Sequence, residues 1–171
     1  MKIFLEDTAF AHCEFSNNPV PIKQTTDKVK WDRSGNYTAE DVVVWTDECI
    51  PQSVNRRGRN IAWLLESWDM IPHHYEFVKS NPDKFEAIWT HDKVLLKLPN
   101  ASKLTVGGCW IDDFDWSIHP KTKNFSIIAS AKRQLPGHRQ RHQIIAGAGG
   151  HIDVFGGGYN PIKDKIEGLR D

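Results

Sequence analysis

Four consecutive residues, Val42-Val43-Val44-Trp45, constrain this chain more than any others. A β-branched and aromatic run with no polar alternation belongs to a strand buried on both faces, and such strands are the mark of parallel sheets covered on each side. Lys2–Glu6 reads as a second strand, and 61–66, 85–90 and 103–106 as further strand candidates. Between them stand helix-like stretches. Pro72 suits a first helical position ahead of His73-His74-Tyr75-Glu76-Phe77-Val78, and Asp92 suits the cap of a short helix over 93–98. Strands alternating with helices predict βαβ units in an α/β fold with a mainly parallel sheet. The polar section between the first two strands, with Asn17-Asn18-Pro19 and Ser34-Gly35-Asn36, reads as loops.

Near Pro120 the character changes. From Lys121 to Gln143 there are six basic residues (Lys121, Lys123, Lys132, Arg133, Arg139, Arg141) and no acidic one. The strand pattern 124–130, a Pro136-Gly137 turn, a helix over 138–145 and a strand over 152–155 make one fresh βαβ unit. This places a domain boundary at about residue 121, giving domains 1–120 and 121–171. A lone unit of that size cannot cover both faces of its sheet, so the second domain is expected to be incomplete in this chain.

Bulk properties exclude several classes. With 22 basic against 22 acidic side chains, the chain lacks the basic balance of a general nucleic-acid binder. The opening run Met1-Lys2-Ile3-Phe4-Leu5 is broken at once by Glu6 and Asp7, so it reads as a strand rather than a signal peptide or membrane span. Cys13, Cys49 and Cys109 are odd in number and widely spaced, which argues against a disulfide framework and for a cytoplasmic location. On that reading the three glycosylation sequons, at Asn36, Asn100 and Asn124, are coincidental.

Three features can carry chemistry. The strand ending at Ser130, the loop with Lys132 and Arg133, and the helix opening at Gly137-His138 form an anion-binding layout, or alternatively a solvated basic face. Glu66 follows the apolar run Ile61-Ala62-Trp63-Leu64-Leu65, where a strand meets its loop. Ligands gather at the carboxyl ends of strands in open α/β sheets, so Glu66 can serve as a general base or as a solvated loop acid. Seven tryptophans are many for this length; Trp63, Trp68, Trp110 and Trp116, near acids, suit sugar stacking or simply the core. Asp112, Asp113 and Asp115 read as a surface loop.

Other patterns are set aside. Gly147-Ala148-Gly149-Gly150 and Gly156-Gly157-Gly158 do not fit a dinucleotide fingerprint and read as turns at the two ends of strand 152–155. His138 and His142 share a helix face without an acid or cysteine to support them, and His73-His74, being adjacent, are expected to point in different directions. No metal site is expected.

Phe125-Ser126-Ile127-Ile128-Ala129-Ser130-Ala131-Lys132, then Gly137-His138-Arg139-Gln140-Arg141, then Ile152-Asp153-Val154-Phe155-Gly156 resemble, in order and spacing, the α1,3-fucosyltransferase family. Trp63-Leu64-Leu65-Glu66-Ser67 is similar to the family's Glu-Ser-Pro segment, with Trp68 in place of proline. Phe85-Glu86-Ala87-Ile88-Trp89-Thr90-His91-Asp92 is similar to a further family segment. The resemblance covers about residues 60–171. It implies a GT-B architecture of two Rossmann-like domains and inverting transfer of fucose from GDP-fucose to a glycan hydroxyl, with no cofactor or metal required. It also implies that Glu66 is the catalytic base and that Arg141, with Lys132 and His138, binds the donor diphosphate. The family's later Phe-x-x-Glu-Asn strand is not present, so little activity is expected of these 171 residues alone. A partner chain supplying the missing half-domain is one expectation. The alternative is a non-catalytic carbohydrate- or nucleotide-binding module.

Overall fold

The computed structural model describes residues 1–8, 29–104 and 117–163, and the chain divides into two compact units, Met1–Trp110 and Ile111–Asp171. In the first unit six strands form one sheet: β1 (Lys2–Glu6), β2 (Lys30–Asp32), β3 (Val42–Thr46), β4 (Arg59–Trp63), β5 (Ala87–Thr90) and β6 (Ala101–Lys103). Their order is β2-β1-β3-β4-β5-β6 and every pairing is parallel. This is a parallel α/β sheet whose strand order reverses between β1 and β3.

The strand periodicity of two divides the core between the two faces of the sheet. Phe4, Val43, Trp45, Ala62, Leu64 and Ile88 pack on one side with Ile50, Tyr75 and Val78. Ile3, Leu5, Val44, Ile61, Trp63 and Leu65 pack on the other. Val43 and Val44 are both fully buried although they face opposite ways, which is what the unbroken apolar run requires. Trp63 belongs to this core, edge-on to Trp89 at 5.7 Å, and is no sugar platform.

Several local elements differ from the sequence expectation. The section read as loops contains β2, a three-residue strand paired with β1 from Lys2↔Lys30 to Phe4↔Asp32. It is too short for periodicity to reveal. The helix expected over 93–98 is only the 3₁₀ turn Leu95–Lys97, because Leu98 precedes Pro99 and is held extended. Asp92 does cap that turn, accepting from the N–H groups of Val94 at 2.9 Å and Leu95 at 2.8 Å. Of the strand expected over 103–106, Lys103 ends β6, in which Ala101 meets Ile88 of β5, and residues 105 and 106 lie outside the described residues. The β3–β4 crossover is a 3₁₀ segment, Asp47–Asn55, with Pro51 inside it, whereas α1 (Pro72–Ser80) makes the β4–β5 crossover and begins at its proline.

In the second unit β7 (Ser126–Ile128), α2 (Pro136–Gly147) and β8 (Asp153–Phe155) form a βαβ unit with parallel strands. Gly156, at φ 108°, lies so close to the chain that a Cβ would stand 2.2 Å from the Ala129 carbonyl oxygen. Only glycine allows that turn. His142 is buried and bridges to the Lys132 carbonyl at 3.0 Å and to the Tyr159 hydroxyl. No helix among the described residues is long and apolar enough to cross a membrane. Cys49 is buried and free; Cys13 and Cys109 lie outside the described residues, as do Trp110, Trp116 and the Asp112–Asp113–Asp115 loop.

Candidate functional site

The carboxyl ends of β3, β4 and β5 deliver three loops to one edge of the sheet, next to the β1/β3 reversal where doubly wound sheets hold their ligands. β3 delivers Asp47, whose φ of 34° is the single positive value among described non-glycine residues. Such a conformation costs energy and persists where the surroundings impose it. Here the Asp47 carboxylate is buried and accepts the Leu65 N–H at 2.8 Å and the Glu66 N–H at 3.3 Å. Burial pushes its carboxyl up from the ordinary 3.8 to about 6; the two N–H bonds pull it back, while the Glu66 and Glu48 charges add to the rise.

The loop after β4 is thereby pinned from below by Asp47. From the α1 side, the Tyr75 hydroxyl donates to the Glu66 carbonyl at 2.6 Å and lies 3.5 Å from His91 Nε2, beyond β5. Burial, reinforced by the charges of Asp47, Asp92 and Glu66, raises the Tyr75 hydroxyl far above its ordinary value, so it remains a donor. The Glu66 backbone is clamped while its side chain stands exposed at the strand end, and a carboxylate so placed can take a proton from a bound hydroxyl. Beside it Trp68 is 51% exposed and lines a cleft of about 110 Å³ with Tyr75, Glu76, Lys79, Asp92, Val94 and Leu95.

Sequence reasoning singled out Glu66 and missed Asp47 and Tyr75, which hold it. Asp47 had a usable signal, being the first residue after a fully buried strand. Tyr75 had none, because its partner lies nine residues back in the chain.

The residues expected to bind a diphosphate are in the second unit. Lys132 is exposed and Arg141 half-buried, and among the described residues neither side chain has a partner. His138 is engaged: its Nδ1 accepts the Leu135 N–H at 3.3 Å and so caps α2. The loop 130–135 is further tied by Arg139, which donates to the Gln134 carbonyl at 2.7 Å. His142 is held by the Lys132 carbonyl and the Tyr159 hydroxyl.

Fold and site together define an α/β domain with a clamped carboxylate at the carboxyl edge of a parallel sheet. Searches among protein families, curated proteins and solved structures found no match to this chain.

Proposed function

We propose that this chain is part of an inverting sugar transferase of GT-B type, in which the Met1–Trp110 unit holds the glycan acceptor and Glu66 is the general base. The observation that carries this reading is the exposed Glu66 carboxylate on a backbone clamped by Asp47 and Tyr75, with the resemblance of the 63–67, 85–92 and 125–156 segments in support. The donor would be GDP-fucose or a related GDP-sugar. Glu66 takes the acceptor hydroxyl proton as that oxygen attacks the anomeric carbon; the bond to phosphate breaks on the opposite face, and the diphosphate leaves with the electron pair. Arg141 and Lys132 stabilise the charge that the diphosphate gains. The base and the diphosphate grip are the main protein contributions to such a single displacement.

A second reading, a carbohydrate-binding module without turnover, is favoured by the exposed Trp68 ring, which needs no base to stack on a sugar. The two are separated by calorimetric titration with GDP, GDP-fucose and UDP, alongside an assay of GDP release with glycan acceptors, on this chain and on any longer gene product. The transferase reading expects GDP binding that Arg141→Ala abolishes. It also expects Glu66→Gln to spare binding while lowering turnover about 10²–10⁴-fold. Absence of nucleotide binding in every form, with glycan binding that depends on Trp68, would establish the second reading.

A further inference from the structure

We propose that Glu48, His73 and His74 form a binding site for a divalent transition metal of the zinc class, at the start of α1 and independent of any sugar transfer. One ligand atom from each residue can be chosen so that all lie within 4.8 Å of one another. The adjacent histidines do not diverge as their sequence positions suggested: their ring centroids are 3.9 Å apart, tilted by 54°.

The second observation is His74 itself. Its residue is 3% exposed, yet neither ring nitrogen makes an aligned hydrogen bond. Nε2 stands 3.0 Å from Glu48 Oε2, close enough for an ion pair but off the line of a hydrogen bond. Buried imidazole nitrogens without partners are costly, and coordination to a metal lying between Nε2 and the carboxylate supplies the partner that Nε2 lacks. Tetrahedral zinc, with bonds of about 2.0–2.1 Å, sets its ligands about 3.4 Å apart. Glu48 and His73 are both exposed, so side-chain rotation can close the remaining gap. The Glu48 charge offsets the positive end of α1, which otherwise opposes a cation there. Two imidazoles and one carboxylate select zinc, copper or nickel over calcium or magnesium, which require oxygen ligands. Three protein ligands leave a fourth position open.

The test is equilibrium titration of the untagged, chelator-treated full chain with Zn²⁺, repeated with Co²⁺ to read the visible d–d absorption of a tetrahedral site. One equivalent should bind, with Glu48→Gln and His73→Asn each weakening it about tenfold or more and altering the cobalt spectrum. Both side chains are exposed, so these variants are expected to fold. His151→Asn, outside the site, should change nothing. Failure to bind either metal, or binding that Glu48→Gln and His73→Asn leave unchanged, overturns the proposal; a stoichiometric site lost on His151→Asn does so as well. Because the readout is metal binding, its failure leaves the transferase reading untouched.

Discussion

The two ends of the first unit's sheet make opposite use of their polar groups. At the amino end, the Arg56 guanidinium holds the loop into β3 by donating to the Thr38 carbonyl at 2.7 Å and to the Asp41 carbonyl. It joins that loop to β4 through Asn60 Oδ1 at 2.9 Å. Asn60 in turn accepts the buried Trp45 indole N–H at 3.0 Å. At the carboxyl end, Asp47 and Tyr75 bond the backbone of the β4 loop, with the Tyr75 hydroxyl also 3.5 Å from His91 Nε2; the Glu66 carboxylate is exposed and His74 lacks aligned hydrogen bonds. Cleft size points the wrong way. The hollow beside Arg56, lined also by Tyr37, Trp45 and Gln52, measures about 510 Å³ against about 110 Å³ beside Trp68. Polar side chains are engaged in both: Arg56 closes loops onto strands in the larger, while in the smaller Tyr75 donates to the Glu66 carbonyl and Asp92 accepts the Val94 and Leu95 N–H groups. The exposed Glu66 carboxylate lines neither hollow, so volume does not locate it.

That contrast breaks most severely at Gly58. Its φ is 119° and a Cβ would stand 2.2 Å from the Ala39 carbonyl oxygen, so Gly58→Ala should cost about 2–4 kcal/mol in a urea unfolding experiment. A loss within 0.5 kcal/mol would show that the amino end is looser than described.

A middle-sized effect belongs to Asp47→Asn, read as stability against pH. Between 3.8 and about 6 the folded chain keeps a proton that the unfolded chain has released. The contribution of this group therefore falls as pH rises through that window and is level above it. Asn has no such titration. Unfolding midpoints measured from pH 4 to 7 should fall less steeply for the variant than for the parent, and equal slopes would mean that Asp47 titrates as an ordinary exposed acid.

The smallest effect sharpens the comparison from the other side. Glu66→Gln and Trp68→Ala remove exposed side chains at the carboxyl edge, and each should leave thermal and urea stability within about 0.5 kcal/mol of the parent. A loss comparable to that of Gly58→Ala would make these residues scaffold and remove the basis for a site there.

Local pattern made much of the fold legible. The 42–45 run foretold a strand covered on both faces, Pro72 the start of α1, Asp92 its capping role, and Gly156 a turn. Each is a property of a few neighbouring residues: period-two burial, a missing N–H, a short side-chain acceptor, a backbone without Cβ. β2 escaped because three residues carry no period. The Asp47–Asn55 crossover escaped as well, since its shape depends on the strands it joins.

What the sequence by itself determined is therefore the alternation of elements, the parallel α/β class and the place of Glu66 at a strand end. Tertiary structure alone decided what surrounds Glu66. Asp47 reaches Leu65 across 18 positions and Tyr75 approaches His91 across 16, and Glu48 comes to face the paired rings of His73 and His74. Such meetings depend on strand order and register, which arise from burying both faces of the whole sheet at once. No window of neighbouring residues encodes them.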